Sequence, residues 1–179
     1  MNSAPQSQLS DVNTLRQRAR QNVEDGAVTQ GYSADRETVL RLLNESLATE
    51  LVCVLRYKRH YYMASGLKAS VAAAEFLEHA EQEAQHADKL AERIVQLGGE
   101  PDLDPATFTM RSHAEYKPGI SIRDMIQENL VAERIAVEAY RELVRFLGDR
   151  DPTTRVMIEG ILAQEEEHAD DLRDLLIEQ

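Results

Sequence analysis

The segment Glu83-Ala84-Gln85-His86-Ala87-Asp88-Lys89-Leu90 returns later in the chain as Glu165-Glu166-Glu167-His168-Ala169-Asp170-Asp171-Leu172. Both copies read Glu-x-x-His-Ala-Asp-x-Leu. Residues at i and i+3 share one face of a helix, so each copy places a carboxylate and an imidazole side by side. The repeat reaches further back. Glu50 is followed seven residues on by Tyr57, and Glu133 seven residues on by Tyr140. A chain organised in this way is a helical hairpin used twice, and the two hairpins must bring equivalent faces together.

The punctuation of the chain supports four long helices. It has only 8 Gly and 5 Pro in 179 residues, and 42% of it is hydrophobic. That is a composition of helix formers with few breakers. The first long helix is predicted from Asp35 to about Ala64, with Leu40, Leu43, Leu47, Leu51, Val54 and Leu55 on its apolar stripe and Gly66 ending it. The second runs from about Ser70 to Leu97, stopped by Gly98-Gly99-Glu100-Pro101. Asp102 to Gly119, with Pro105 and Pro118, reads as irregular. The third helix starts near Ser121, where Asp124 stands in the capping-box position, and runs to Leu147. Asp151 then caps a fourth helix with Pro152 at its first position, and that helix continues almost to the last residue. Residues 1–34 form an arm with one short helix, capped by Asp11, running through Leu15 and Val23 to Asp25-Gly26; residues 35–179 form the bundle.

Short turns make helices one and two antiparallel neighbours, and likewise three and four, while the long link crosses the bundle. This is the connectivity of an all-α, ferritin-like four-helix bundle with one long crossover. The position halfway between Glu50 and Glu83 falls at Gly66-Leu67, and the one halfway between Glu133 and Glu165 at Asp149. Both lie in predicted turns, so all four glutamates sit at about mid-height. A Glu from each of two helices plus Glu-x-x-His from each of the other two is a carboxylate di-metal pattern. Carboxylate oxygens suit iron and manganese, and imidazole adds a nitrogen donor. Glu50, Glu83, His86, Glu133, Glu165 and His168 are therefore the expected metal ligands and catalytic residues. Without metal, such carboxylates repel one another and some of their pKa values rise. Tyr57 and Tyr140 serve either core packing or a hydrogen bond to a ligand glutamate. Cys53 reads as core beside the site, and His60 and His79 as surface residues.

Charge narrows the partners. The net charge is −12, which disfavours nucleic acid and anionic membranes. In the arm, Arg16, Arg18 and Arg20 are nearly matched by Asp11, Glu24 and Asp25, so DNA binding is not expected there; contact with a neighbouring subunit is the better reading. No apolar run is long enough to span a membrane. Met1-Asn2-Ser3-Ala4-Pro5 does not begin a secretory signal, and the lone cysteine builds no disulfide framework. A cytoplasmic location is expected.

With these residues in view, the chain resembles the bacterioferritin branch of the ferritin-like superfamily over roughly residues 38–176. The resemblance is carried by Leu43-Asn44-Glu45, Glu50-Leu51, Tyr57 and His60, by Glu83 to Asp88 and Glu92-Arg93-Ile94, by Asn129 to Glu133, and by Glu165 to His168. It implies that Glu83 and Glu165 bridge two irons, that Glu50 and Glu133 are terminal ligands, and that His86 and His168 each complete one iron. Three departures matter. Ala84 stands where the family carries its haem-ligating Met, so no haem is implied at that position. Only 11 residues follow His168, which leaves no room for the family's fifth helix. The arm is extra, and the link between helices two and three looks longer than the family's. These departures are similar to the smaller, 12-subunit Dps-like cages, in particular a class with a bacterioferritin-type internal site; the cysteine pair common in that class is missing here.

The function expected is a di-iron ferroxidase that oxidises Fe(II) with oxygen or hydrogen peroxide, for iron storage and detoxification in a hollow homo-oligomer. Two Fe ions per subunit are expected, with Mn as the other possibility. The competing expectations are a di-metal peroxide-consuming enzyme, manganese-catalase-like or rubrerythrin-like, and a metal-binding bundle without turnover. The second enzyme type is weakened by the absence of paired Cys-x-x-Cys motifs.

Overall fold

The computed structural model describes residues 9–64 and 69–178, with the side chain of Glu178 excepted. Its elements are α1 (Val12–Ala19), a 3-10 turn (Val23–Asp25), α2 (Arg36–Met63), α3 (Ser70–Gln96), α4 (Phe108–Arg111), α5 (Ile122–Leu147) and α6 (Pro152–Glu178). Helices α2 and α3 pack along their length, as do α5 and α6, and the two hairpins meet along α2–α5 and α3–α6. The fold is a four-helix bundle with one long crossover between α3 and α5. No described helix is long and apolar enough to cross a membrane.

The caps follow the local chemistry. Asp35 accepts from Thr38 N, Ser121 Oγ from Asp124 N, and Asp151 Oδ1 from Thr154 N, each relieving an orphan amide of a first turn. Asp124 answers Ser121 by accepting from Ile120 N rather than from the cap residue itself. Gly148 ends α5 at φ 50, a backbone angle that suits glycine. Gly66, the expected stop of the first long helix, lies outside the described residues.

Several expectations are corrected. The short arm helix ends at Ala19, not near Val23, because Asn22 turns the chain into the left-handed region at φ 48. Leu55 is 55% exposed, since the turn after Val54 carries it off the buried stripe that Leu43 and Leu47 occupy. The link between α3 and α5 is irregular except for α4, and it is fastened along α2. Asn44 Oδ1 accepts from Asp102 N, Thr49 Oγ1 accepts from His113 N, and Arg56 donates to Glu115 O. The arm reaches the bundle through Val28, Tyr32 and Ala34, and Tyr32 donates to Asp151 Oδ2.

The core divides in two. One apolar cluster gathers Leu43, Leu47, Leu90, Ile94, Leu143, Leu147, Ile158 and Ile161; the other gathers Cys53, Tyr57, Phe76, Ala80, Ile126 and Leu172. Each large aliphatic side chain buried here contributes roughly 1.5–3 kcal/mol. Between the clusters lies a layer of buried charge.

Candidate metal centre

The layer is built from α2, α3, α5 and α6. Glu50, Glu83, Glu133 and Glu165 are each at most 1% exposed, as are His86 and His168. All six predicted residues come together. His86 Nδ1 lies 3.6 Å from Glu50 Oε2, 3.3 Å from Glu83 Oε2 and 2.9 Å from Glu165 Oε1. His168 Nδ1 lies 3.7 Å from Glu83 Oε1, 3.8 Å from Glu133 Oε2 and 3.8 Å from Glu165 Oε2. Glu83 and Glu165 thus turn one oxygen toward each histidine. Two groups of potential ligand atoms result, each within 4.8 Å: Glu50, Glu83, His86 and Glu165, and Glu83, Glu133, Glu165 and His168.

The ring orientations are set from behind. His86 Nε2 donates to Gln164 Oε1 at 2.8 Å, and His168 Nε2 donates to Gln82 Oε1 at 2.5 Å. Each histidine therefore keeps Nδ1 for the centre. These glutamines were not anticipated, although each stands directly before the glutamate of its repeat, so the longer motif Gln-Glu-x-x-His carried the signal. Tyr57 donates to Glu133 Oε1 and Tyr140 to Glu50 Oε1. Of the two roles expected for the tyrosines, both hydroxyls take the one that fastens a glutamate.

Protons hold the charges apart in the metal-free centre. Burial raises the pKa of Glu50 well above the ordinary carboxylate value, and the charge of Glu83 adds to it. Burial, then Glu83 and Glu50, do the same to Glu165. Burial would also raise Glu83, but the neighbouring Glu50, His168 and His86 outweigh it and hold Glu83 low. Burial would lower both histidines. Instead Glu50 and Glu83 push His86 up to about 10, and Glu133 and Glu83 push His168 up to about 9. Even so, Glu83 Oε1, Glu133 Oε2, Glu165 Oε2 and His168 Nδ1 have no hydrogen-bond partner. Buried polar atoms without hydrogen-bond partners are costly. A shared cation satisfies all of them, so the donor set fits a pair of metal ions.

Two histidines expected at the surface are buried. His79 is 1% exposed because, four residues before Glu83, it faces α6 and stacks on His168, with ring centroids 4.0 Å apart and planes at 19°. Burial, then the charge of His168, lowers its pKa to about 4. His60 is 0% exposed because the crossover covers it, with Nε2 3.0 Å from Lys117 O. Cys53 is buried as expected, and burial raises its thiol pKa well above the usual value. Nothing in the sequence marks Arg56 for burial. It is 1% exposed and donates to Asn129 Oδ1 at 2.8 Å, a buried cation close to the carboxylates.

The chain is similar to several known proteins. The family model for the ferritin-like domain matches residues 40–178. A bacterioferritin from Mycobacterium bovis is 30% identical over 139 residues, covering 77% of this chain and 83% of the relative. A nutrient stress-induced DNA-binding protein from a Synechococcus strain is 33% identical over 133 residues, covering 71% and 74%. Among solved structures, the dodecameric thioferritin described as the bacterioferritin-related protein of Bacteroides fragilis superposes with a TM-score of 0.78 at 32% identity, over 82% of this chain and 88% of that one.

Proposed function

The chain belongs to the ferritin-like domain family, and from that premise we propose that it is a ferroxidase that takes Fe(II) as substrate and stores the product in a hollow homo-oligomer. The observation that carries this reading is the division of Glu83 and Glu165, whose paired oxygens face His86 on one side and His168 on the other. A carboxylate shared in that way holds two ions close together.

Two Fe(II) supply two electrons, which reduce oxygen and two protons to hydrogen peroxide, or hydrogen peroxide and two protons to two waters. The chain's own residues do the rest. Glu83 and Glu165 would be shared by both ions, Glu50 and Glu133 would each hold one, and His86 and His168 would each present Nδ1. Gln82 and Gln164 keep those nitrogens aimed inward. Tyr57 and Tyr140 hold the terminal carboxylates in place. The protons on His86 and His168 leave as the cations arrive. The two apolar clusters exclude bulk water from either side.

The twelve-subunit form described for the Bacteroides fragilis relative supports a cage of the same size here. The acidic net charge and the mixed charge of the arm argue against DNA as a partner, despite the name of the Synechococcus relative. Ala84 leaves the reading without haem.

The test adds Fe(II) in air to the metal-free protein and follows oxidation and particle size together. Rapid oxidation, with iron co-eluting in a large closed particle, is expected. The Glu165→Ala variant should stay folded and lose the rapid phase. Iron stopping at about two per subunit on a small oligomer, with oxygen released from peroxide, would move the assignment to a peroxide-consuming di-metal enzyme. A Glu165→Ala variant that oxidises iron at the normal rate would overturn the site assignment.

A further inference from the structure

Glu75 lies one turn before His79 on α3, and Asp171 lies three residues after His168 on α6. Helical spacing gathers the three side chains on the seam between those helices. His79 Nε2 is 3.7 Å from Glu75 Oε2 and 3.7 Å from Asp171 Oδ2. The His79 side chain is 2% exposed, while those of Glu75 and Asp171 are 32% and 49% exposed. The imidazole is buried, and the carboxylates beside it reach solvent.

The hydrogen of His79 can be placed. Tyr57 donates its own proton to Glu133, so it offers only a lone pair to His79 Nδ1, 3.3 Å away. Nδ1 therefore carries the ring hydrogen, and Nε2 of the neutral ring is a bare acceptor. Three acceptors then converge. Among the described residues, no hydrogen bond reaches Nε2 or either carboxylate, and no Lys or Arg pairs with Glu75 or Asp171. A doubly protonated ring would draw one carboxylate to about 2.7–2.9 Å. The 3.7 Å spacing leaves room for an ion among the three. Ligands about 2.1 Å from a tetrahedral first-row divalent ion lie about 3.4 Å from one another, so a small inward shift of the side chains seats one. His168 Nδ1 and its three glutamates show the same 3.7 to 3.8 Å separations.

The cluster also adjoins the buried centre. His79 belongs to a second group of potential ligands with Glu133 and His168, all within 4.8 Å. That group in turn shares Glu133 and His168 with the buried centre. Overlapping ligand sets therefore step from solvent to the interior.

We propose that Glu75, His79 and Asp171 form a third cation site that captures Fe(II) and passes it to the buried pair through Glu133 and His168. One imidazole with two carboxylates favours a first-row transition ion over Mg or Ca. The inference rests on the paired centre proposed above and extends it to the surface.

Two measurements on the full-length, metal-free protein test it. The first is an anaerobic Co(II) titration followed by calorimetry. The wild type should bind about two ions at the pair and one more outside it. The Glu75→Gln/Asp171→Asn double variant should lose only the extra ion, and Glu165→Ala should keep it. Both rim residues are partly exposed, so circular dichroism of the double variant should match the wild type. The second is rapid mixing in two orders. Fe(II) added to aerobic protein should be oxidised about tenfold more slowly by the double variant. Fe(II) equilibrated anaerobically before oxygen is added should react at the wild-type rate.

A wild type that saturates at the pair alone, or a double variant that keeps the extra ion, would overturn the site. Equal rates in both mixing orders would overturn its delivery role. A single ion that is lost in the double variant and kept in Glu165→Ala would support this site and remove the pair.

Discussion

Gln82 Oε1 accepts from His168 Nε2 at 2.5 Å across the α3–α6 interface, and Gln164 Oε1 does the same for His86 at 2.8 Å. Each glutamine serves the histidine of the other repeat, so the two halves of the centre orient each other. Gln82→Leu or Gln164→Leu should weaken metal binding about 10–100-fold while leaving the helices intact. Anaerobic Co(II) titration reads this directly. Unchanged affinity in both variants would show that the histidines need no such support.

Tyr140 and Tyr57 hold Glu50 and Glu133 through their hydroxyls, and both are buried. Replacing either by Phe leaves a buried carboxylate without its donor, which costs about 1–3 kcal/mol. Urea unfolding of the metal-free Tyr140→Phe and Tyr57→Phe proteins should show that loss. The two effects should not add, because both glutamates belong to one charge network. Stability equal to the wild type would mean that the hydroxyls serve packing only.

The metal-free protein should lose stability as pH rises. His86 and His168 titrate at about 10 and about 9 in the fold, above the ordinary value of 6.5. Between these limits the folded state holds more protons than the unfolded state, so stability falls with increasing pH. The contribution is complete below about 6.5 and disappears through the folded-state values. Metal replaces the protons, so the loaded protein should show a flatter profile, and loading near neutrality should release protons from both histidines. Denaturation midpoints measured with and without chelator check this. A metal-free midpoint that climbs across the alkaline range would contradict it.

Asp151 joins three tasks. It caps α6 at Thr154 N, pairs with Arg93 Nη2 at 3.0 Å, and accepts from Tyr32 of the arm. It is 2% exposed, so Asp151→Ala strands a nearly buried guanidinium and should cost about 3–5 kcal/mol. Denaturant unfolding is the measurement. A loss below about 1 kcal/mol would class the contact with ordinary surface ion pairs.

The helices were legible because their signals are local. Ser121 with Asp124, and Asp151 with Pro152, mark starts within a few residues of chain, and Gly148 marks a stop. The six candidate ligands were legible because a repeat with fixed spacing places them on one face at one height. Leu55 misled because a stripe read by apolar identity alone runs wider than the face that the neighbouring helices cover. His60 and His79 misled for another reason. Polar identity suggests solvent, but the crossover lies over one and α6 over the other.

By itself the sequence determined four amphipathic helices, two short turns, one long link, and two copies of a carboxylate–imidazole pair at matched heights. These depend on backbone preferences and helical periodicity, which act over a few residues. Only the tertiary structure decided which oxygen of Glu83 faces which histidine, that Gln82 and Gln164 cross over, that Arg56 is buried, and that His79 stacks on His168 beside Glu75 and Asp171. Those relations join residues far apart in the chain. They follow from how helices settle against one another, where close packing and unpaired buried charge, rather than local propensity, set the positions of side chains.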